Sequence, residues 1–444
     1  MARFTPVDNT SSPSFKQGAT PEKYIDLGAY INEIDQPDNR EQLVKTYGDQ
    51  LIGGAIAFTR LVGASNNVGH ADEVTYWEEA RLMKTQNGTM AATAAADTGA
   101  KLITTAAAHT IVTGDVVMIN GYIRARATVN NATSYNVVPY AAAWGVVIAG
   151  NAFVKVHKIG NEFAQGTDQP VEYELSNIVK RTQPFIITKM TYSATGSAMG
   201  NIGWVKDEET GSLYWFQKGL SDQRKRYENM NEAMALFGQT AANTNLTGAK
   251  LNGAEGYVSA IENRGTVQTG YITDKTDLQS LSVVLDKQGA PSDYLWGMNR
   301  NQANYADNFI GNAMGQQPYG TFSNSAEMDV KLGFKNFNVG GRNFHCKVLP
   351  VLTDPTFAGQ TDFYKYFMTP MGSVADPKTG IQAPSLEFNY KTYGGGAKRY
   401  MEHWLQGGVD GTYTNGLDKR SFEFRSEFNL ITRGANRHVV GRGE

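Results

Sequence analysis

The sequence has a single cysteine, Cys346, among its 444 residues. One thiol cannot form an intrachain disulfide, so cross-linking of this kind is excluded as a source of stability. The 6 histidines are scattered, and none is spaced from another histidine as zinc ligands are. We therefore expect no metal site, and a fold that is stabilised by packing and by assembly.

An excess of charge of one sign is also lacking, because 41 Lys and Arg residues stand against 43 Asp and Glu residues, a formal net charge of -2. This balance excludes the basic field with which a dedicated nucleic-acid binder neutralises phosphates. No run of about 18 apolar residues occurs, and the N-terminus lacks the apolar core of a secretory signal. We expect a chain that is soluble and cytosolic at synthesis, has no membrane contact and is not processed at either end.

The common catalytic motifs are missing as well: there is no Walker loop, dinucleotide fingerprint, His-Glu-x-x-His or Gly-x-Ser-x-Gly. His345 and Cys346 are adjacent, so in a strand they point to opposite faces and cannot act together as base and nucleophile. The glycines at 394–396 precede two cations and could cradle a phosphate, but a turn between two strands is favoured because no helix follows. We predict no catalytic residues, no cofactor, no metal and no enzymatic activity.

Charged clusters are few and local. The acids at 78–79 and 207–209 are interpreted as solvated patches, because sequence neighbours point apart and do not face each other as the two carboxylates of a glycosidase do. The C-terminal cations Arg433, Arg437 and Arg442 form a basic tail together with His438. Two interpretations of this tail stay open: the end of a surface strand, or a contact with an acidic neighbour or packaged nucleic acid.

What the sequence does have is length and glycine. A chain of 444 residues exceeds the size at which one core usually keeps growing, so two or three compact units are expected. Its 47 glycines and a charged fraction of 19% indicate turn-rich β structure. Residues 1–20 are polar and predict an extended arm that lies on a partner surface, followed by helices over 22–34 and 40–61.

A block rich in Ala, Thr, Val and Asn, residues 89–182, predicts an inserted β-rich module. Gly114-Asp115 and Asn120-Gly121 lie between β-branched runs, which is a strong hairpin signal. Several short strands at this spacing are typical of a compact barrel or sandwich. Further strands are expected at 135–140, 143–148 and 153–159.

The stretch from Pro184 to Gly238 is the most informative part of the sequence. A strand over 184–190 leads into an arm spaced by glycine and serine, which we predict to be a projecting two-stranded hairpin carrying Trp204 and Trp215. The two tryptophans are either core residues or interface anchors, and anchors are favoured because such an arm has little local core to fill.

A capped amphipathic helix is predicted to follow the arm, from Ser221 to Phe237. Ser221 or Asp222 would cap its first turn, and Gly238 would provide a left-handed stop. The apolar face is predicted from helical spacing. It comprises Tyr227, Met230, Met234 and Phe237.

The remainder predicts an α/β unit followed by returning strands. The helix 277–287, the strand 294–298 and a helix capped by Asn299 form the centre of this unit, with strands at 344–352 and 363–368. The tail predicts strands at 386–393, 401–405 and 422–432.

This order of an arm, a hairpin, a long helix, an α/β unit and returning strands resembles the major capsid proteins of tailed bacteriophages, which have the Hong Kong 97-type fold. The resemblance implies an α+β protein with an N-arm, an E-loop, a P-domain with its spine helix and an A-domain, here with an inserted all-β domain. The expected boundaries are 1–60 for the N-terminal arm and helices, 61–88 for the connection to the P-domain, 89–182 for the inserted domain, 183–220 for the E-loop, 221–254 for the P-domain with the spine helix, 255–375 for the A-domain and 376–444 for the strands that return to the P-domain.

The function implied by this resemblance is self-assembly. Subunits would form hexamers and pentamers of an icosahedral virion shell that encloses double-stranded DNA, after assembly in the host cytoplasm. Implied partners are other copies of the chain, a portal, a separate scaffolding protein, decoration or auxiliary capsid proteins, and DNA in non-specific contact. Scaffolding is expected to be separate because the chain lacks the long charged helical N-terminal region of some family members.

The resemblance also implies which residues contact other subunits. The candidates on the arm and the following helix are Trp204, Trp215, Asp207, Glu208, Glu209, Arg224 and Arg226, and those for the inner surface or a neighbour are Arg433, Arg437 and Arg442. Two alternatives stay open: the shell of an encapsulin-like compartment, and a β-rich adhesin of a phage tail or cell surface.

Overall fold

A computed structural model gives the structure. It describes residues 65–69, 71–83, 85–169, 178–201, 215–248, 251–315, 336–375, 382–394 and 396–443. The predicted mixture of helices and strands is confirmed within these residues. The predicted N-terminal arm and the helices expected at 22–34 and 40–61 lie outside them. The chain divides into two compact units, and the described residues of the smaller unit are 192–201, 215–224 and 405–422.

The first part of the described chain consists of strands. They are β1 Ser65–Gly69, β2 Glu73–Glu79, β3 Thr85–Met90, β4 Lys101–Thr105, β5 Asp115–Ile119, β6 Ile123–Asn131, β7 Ser134–Pro139, β8 Ala152–Asn161 and β9 Ile178–Pro184. Strands β3 to β8 close into a barrel in the order β3-β4-β7-β6-β5-β8. The antiparallel ribbon of β2 and β9 flanks the barrel in the sequence.

Two local features explain the barrel: the alternation of buried and exposed residues along its strands, and one tight turn. Along β6 burial alternates residue by residue, with Ala125 and Ala127 fully buried. This is the period expected of a strand with one face in a core. The predicted hairpin at Asn120-Gly121 is confirmed: both residues have positive φ, 51° and 83°, and Ile119 pairs with Ile123 across the turn.

Two expectations for this region were wrong in detail. Residues 143–148 form no strand, because Trp144 is fixed in a loop where its backbone N–H donates to the Asp97 carbonyl at 2.8 Å and its indole N–H to the Gly99 carbonyl at 2.9 Å. The turn at Gly114-Asp115 leads into β5 from a segment without strand structure. The barrel occupies residues 85–161, and the boundaries 89–182 of the inserted module stay a prediction.

The central part of the chain contains the long helix. Its elements are β10 Ile186–Thr195, α1 Gly196–Met199, α2 Trp215–Phe237 and α3 Thr244–Gly248. The predicted helix is present, but it begins six residues before Ser221, so Ser221 and Asp222 are not caps. Asp222 instead forms an ion pair with Lys218 one turn earlier, at 2.5 Å. An i, i+4 pair of this kind supports the continuation of the helix.

The two glycines of this helix region have packing roles. A Cβ on Gly219 would collide with the Tyr192 hydroxyl. Gly238 ends the helix as predicted, but without the expected left-handed conformation. A Cβ there would lie 2.5 Å from the Met234 carbonyl oxygen and 2.9 Å from that of Ala254. Close approach of backbone therefore explains the glycine at the end of the helix.

The C-terminal part supplies two sheets. Its elements are α4 Tyr257–Arg264, β11 Thr266–Thr269, α5 Lys275–Lys287, β12 Asp293–Met298, α6 Arg300–Gly315, β13 Asn336–Val339, β14 Arg342–Val348, β15 Tyr364–Pro370, β16 Ser373–Ala375, β17 Gln382–Pro384, β18 Leu386–Lys391, β19 Glu402–Val409, β20 Thr412–Tyr413, β21 Lys419–Thr432 and β22 Val439–Arg442. One sheet has the order β11-β22-β15-β12-β14-β13, and the other has the order β1-β18-β21-β19-β20, with β10 also paired to β21.

Most predictions for this part are confirmed. Helix α5 is capped by Asp274, which accepts from the N–H groups of Thr276 and Asp277, and Asn299 caps α6 by accepting from the Gln302 N–H at 2.7 Å. The strand expected at 344–352 ends at Val348, because Pro350 begins a 3-10 turn. Gly394 and Gly396 lie between β18 and β19 outside any helix, as favoured, and Gly395 lies outside the described residues.

The arm preceding α2 is described only in part. The strand predicted at 184–190 is divided between the end of β9 and the start of β10. The predicted two-stranded arm stays a prediction, because residues 202–214 lie outside the described part of the chain. Strand β10, which leads toward them, pairs with β21, which is more than 200 residues away in the sequence. Long-range pairings of this kind carry no local signal.

Candidate inter-subunit surfaces

The arm residues predicted to contact another subunit are largely beyond the described part of the chain. Trp204, Asp207, Glu208 and Glu209 lie outside it, and Trp215 is described only as the first residue of α2. Their role in assembly stays a prediction. Arg224 and Arg226 are both exposed on α2, and their contact with another subunit stays a prediction.

An aromatic cluster fixes the described residues of the smaller unit. Phe216, in the first turn of α2, lies between Tyr192 and Phe422, with ring centroids 6.1 and 5.5 Å away. The Arg420 guanidinium lies 5.3 Å from the Phe422 ring centroid and forms an ion pair with Asp410. The end of β10, the start of α2 and the hairpin of β19 to β21 are thereby joined.

The tip of that hairpin presents exposed apolar side chains. Tyr413 is 80% exposed and Leu417 is 55% exposed. The turn beneath them is closed around Gly407, whose N–H donates to Thr414 Oγ1 at 2.8 Å and whose carbonyl accepts from the Thr414 N–H at 2.8 Å. Gly407 has a φ of 157°, and a Cβ there would collide with the Lys419 carbonyl.

Sequence reasoning missed this tip, although a signal for it exists. Glycines at 407, 408, 411 and 416 surround Tyr413, which is the same glycine-bounded aromatic pattern that drew attention to Trp204. The pattern shows a constrained turn, but not that its aromatic side chain is exposed.

A buried network of polar side chains binds helix α2 to the sheet that contains β10 and β21. Asn231 is fully buried; its Oδ1 accepts from Thr188 Oγ1 at 2.6 Å and its amide donates to Ser426 Oγ at 3.2 Å. The Tyr227 hydroxyl donates to the Thr188 carbonyl at 3.0 Å. Thr188 lies on β10 and Ser426 on β21, so a single side chain links the helix to both strands.

The buried face of α2 therefore differs from the predicted apolar stripe. Tyr227 is buried as expected, but Met234 is 38% exposed, and Asn231 and Ala235 occupy the core-facing positions. A buried amide is tolerated because its hydrogen bonds are satisfied.

The basic tail is mostly neutralised within the chain. Arg433 forms an ion pair with Glu387 and lies over the Tyr76 ring at 5.7 Å. Arg442 pairs with Glu262 at 2.5 Å. Arg437 is half-buried, and its carbonyl accepts from the Tyr294 hydroxyl at 2.8 Å.

A second charged network lies near the end of β18 and on β21. Glu427, with a side chain 5% exposed, is held by Arg399 at 2.6 Å and Lys391 at 3.4 Å. Arg425 binds Glu402 at 2.9 Å, donates to the Tyr393 hydroxyl at 2.6 Å, and lies 5.0 Å from the ring centroid of Trp404. Buried carboxylates need such partners, because an unpaired buried charge is costly.

A buried histidine joins α4 to the sheet that contains β15 and β22. His438 is fully buried, its Nδ1 lies 3.1 Å from the Tyr257 hydroxyl, and that hydroxyl is also hydrogen-bonded to Thr369. Burial lowers the pKa of His438 to about 3, and the nearby Arg437 and Arg264 act in the same direction. His438 is therefore neutral in the folded chain at physiological pH.

The thiol of Cys346 and the carboxylate of Glu78, which are groups of the kind that can take part in catalysis, have structural roles here. Burial raises the pKa of the Cys346 thiol to about 12, with Asp307 adding to the effect, so the reactive thiolate is not populated at neutral pH. Glu78, one of the two acids at 78–79, pairs with Arg181 at 2.7 Å and accepts from the Gly434 N–H. The described residues contain no group of three His, Cys, Asp or Glu side chains placed to hold a metal. No helix among them is long and apolar enough to cross a membrane.

Comparison with known proteins gives similarities to solved structures alone. No protein-family model and no curated protein sequence matches the chain. It is similar to solved capsid structures of phages and related particles. A structure from Mycobacterium phage Ogopogo is 8% identical, with a TM-score of 0.46, over 95% of this chain and 100% of that chain. The capsid of a native GTA particle is 9% identical, with a TM-score of 0.41, over 95% and 99%. An encapsulin complex from Synechococcus elongatus is 8% identical, with a TM-score of 0.34, over 60% and 77%.

Proposed function

We propose that the chain is the structural subunit of an icosahedral viral shell of the Hong Kong 97 type, which assembles into hexamers and pentamers around double-stranded DNA. Two features of the chain support the proposal. The 23-residue helix α2 is hydrogen-bonded to a sheet whose strands come from distant parts of the chain. The smaller unit presents the exposed aromatic side chain of Tyr413. A rigid frame combined with exposed anchors suits repeated assembly, because interfaces gain most from preorganised aromatic side chains.

The proposed layout assigns α2 to the spine helix and residues 183–214 to the E-loop. Helix α2 begins at Trp215, so the loop is shorter than the sequence indicated. The sheet of β11 to β15 and β22, with helices α4 to α6, corresponds to the A-domain, and the sheet of β1, β18, β21 and β10 to the P-domain. The barrel over 85–161 is the inserted domain of this proposal.

Partners follow from the same proposal. The subunit would work in the virion with a portal, a separate scaffolding protein and decoration or auxiliary capsid proteins, after assembly in the host cytoplasm. Contact with packaged DNA is proposed to be non-specific, through Arg437 more than through Arg433 and Arg442, since those two are already paired with carboxylates. A net charge of -2 agrees with a genome neutralised mainly by small cations.

Electron microscopy of the purified chain tests the proposal. Negative staining over a range of concentrations is expected to show rings, sheets or closed shells. A monodisperse monomer at every concentration would rule out a shell subunit. Closed shells that enclose a protein cargo and no nuclease-resistant DNA would support the encapsulin-like alternative instead.

The E-loop assignment has its own test. Replacing Trp204 and Trp215 together with Ala is expected to leave the subunit folded by circular dichroism and to abolish assembly, because interface anchors contribute little to the isolated chain. Loss of the folded state in the double variant would instead place the two tryptophans in a core. Phe replacements at both positions serve as the conservative control.

A further inference from the structure

Two strands of the barrel, β6 and β8, carry the same order of side chains on their outer faces. In each strand an aromatic residue is followed, two and four positions later, by basic residues, while the residues between them are buried in the barrel core. This is the alternation of a strand with one face in a core. The outward side chains are Tyr122, Arg124 and Arg126 on β6 and the turn before it, and Phe153, Lys155 and His157 on β8.

The two series lie on one continuous surface. Both strands are antiparallel to β5, which lies between them, so β6 and β8 run in the same direction. Met118 of β5 pairs with Arg124 on one side and with His157 on the other. Neighbouring strands are about 4.8 Å apart. The turn before β6 is also tied to β8, because the Asn120 N–H donates to the Lys155 carbonyl at 2.7 Å and Asn120 Oδ1 accepts from the Lys155 N–H at 3.0 Å.

The charge of this outer surface is unbalanced. The barrel, residues 85–161, contains two acids, and each forms an ion pair with its own lysine, Asp97 with Lys101 and Asp115 with Lys158 at 2.7 Å. The three other Lys and Arg residues of the barrel all lie on the outer surface of β6 and β8, and they form no ion pair with any described residue. The next acid along the chain, Glu162, accepts a hydrogen bond from a tyrosine hydroxyl. The surface is therefore suited to an anionic partner.

The aromatic side chains narrow the choice of anion. Tyr122 is 62% exposed and Phe153 is 61% exposed, so neither ring fills a core. Exposed rings beside cations on a sheet face are the arrangement that binds single-stranded nucleic acids, because bases stack on the rings and phosphates pair with the cations. A duplex would use the cations alone, since its bases already stack on one another. An acidic polypeptide would likewise leave the rings without a stacking partner.

We propose that the outer face of β6, β5 and β8 binds a single-stranded nucleic acid. Its bases stack on Tyr122 and Phe153, and its phosphates pair with Arg124, Arg126 and Lys155. The net charge of -2 of the whole chain does not oppose this binding, because at physiological salt exposed charges more than about 8 Å apart are largely screened. The inference goes beyond the proposed shell function and does not depend on it.

Salt-dependent binding tests the site. Fluorescence anisotropy follows a fluorescein-labelled oligothymidine of about 12 nucleotides as the unassembled chain is added at several salt concentrations. Three phosphate contacts predict that the logarithm of the affinity falls with the logarithm of the salt concentration with a slope of about -2. Absence of binding at low salt would show that the proposal is wrong. Tighter binding of a duplex of the same length, or of polyglutamate, would overturn the assignment to a single strand.

Removing cations from the surface tests the phosphate contacts. The double variant Arg124→Gln, Lys155→Gln is expected to bind oligothymidine at least about tenfold more weakly, with a salt slope reduced to about -0.7. The control is Lys275→Gln, Lys287→Gln, which removes the same charge from exposed positions of α5. It should change the affinity less than about twofold, because these lysines lie outside the barrel. Equal weakening by both double variants would mean diffuse attraction and no site.

Removing the rings tests stacking separately from charge. The double variant Tyr122→Ala, Phe153→Ala is expected to weaken binding at least about fivefold and to leave the salt slope unchanged, because stacking on a ring involves no ion release. Tyr122→Phe, Phe153→Tyr keeps both rings and should bind within about twofold of wild type. Both positions are exposed, so thermal unfolding should match the wild type. Wild-type affinity in the alanine variant would refute stacking and with it the proposal.

The binding site and the shell function fail independently. Binding is measured on the unassembled chain, whereas the shell function is decided by electron microscopy. If the wild type binds oligothymidine but forms no shells, the shell function fails and the binding site stands. If shells form and oligothymidine does not bind, the reverse holds.

Discussion

Single buried polar side chains decide much of this structure. Asn231, Glu427 and His438 are each within 5% of complete burial. Each has partners that offset the loss of water, with the hydroxyl groups of Thr188 and Ser426 beside Asn231, two cations beside Glu427 and a tyrosine beside His438. Removing one partner from such a group costs more than the bond contributes. Stability at the residue scale is therefore concentrated at a few positions.

His438 predicts how stability depends on pH. Its folded pKa of about 3 lies below the usual value of 6.5, so between these values the unfolded chain binds a proton there and the folded chain does not. Stability is therefore unaffected by this group above pH 6.5 and falls as the pH drops, by up to about 1.4 kcal/mol per unit. Urea unfolding of the unassembled chain at pH 7 and pH 5 measures the change.

The matching variant removes the titration. His438→Asn should be less stable than wild type at pH 7 but lose about 2 kcal/mol less between pH 7 and pH 5. His403→Asn, at an exposed site on β19, should retain the wild-type dependence. An unchanged pH slope in His438→Asn would show that another group causes the acid sensitivity.

The long helix α2 is the central element. Its helical spacing is clear in the sequence, yet its position is set by Asn231, which contacts strands β10 and β21 through Thr188 and Ser426. An amphipathic helix with a purely apolar stripe could slide or rotate on a sheet, whereas a directional amide network allows one register. Polar groups in otherwise apolar packing act in this way in coiled coils.

Asn231→Leu is expected to lower the free energy of unfolding by about 1–3 kcal/mol, because the hydroxyls of Thr188 and Ser426 lose a partner inside the core. Gln217→Leu, at an exposed position of the same helix, should change stability by less than about 0.5 kcal/mol. Denaturant unfolding followed by tryptophan fluorescence checks both. Equal stability of the two variants would show that the network is not needed to hold the helix.

At the scale of the whole molecule, the chain is divided among separate cores. The barrel has its own core, which includes Met90, Ile103, Tyr135 and Val154, all fully buried. Its six strands complete each other's hydrogen bonds, so it has no open edge. Because the closed sheet has its own hydrophobic core, contacts with the rest of the chain contribute little to its stability.

The excised segment 71–184, which includes the β2 and β9 ribbon, is therefore expected to fold alone. It should show a β-type circular dichroism spectrum and one cooperative thermal transition. Val154→Asp in the same fragment places an unpaired charge in the core and should abolish that transition. A fragment that stays unfolded while the full chain folds would show that the barrel depends on contacts outside it.

Prediction from sequence succeeded where the signal is local. The Asn120-Gly121 turn, helix α5 and the Asn299 cap of α6 each rest on residues within a few positions of one another. It failed where a distant contact decides the outcome. The exposure of Met234 and the pairing of β10 with β21 depend on residues far away in the chain.

By itself the sequence determined the kinds of elements and their order, because propensity, capping and turn chemistry act within a few residues. It also identified the stretch that contains the spine helix of the proposed shell subunit. Only the tertiary structure decided that β1 runs parallel to β18, that Asn231 lies in the core, and that Tyr413 is exposed. The physical reason is that burial and pairing are set by which distant residues meet, and no local pattern specifies that meeting.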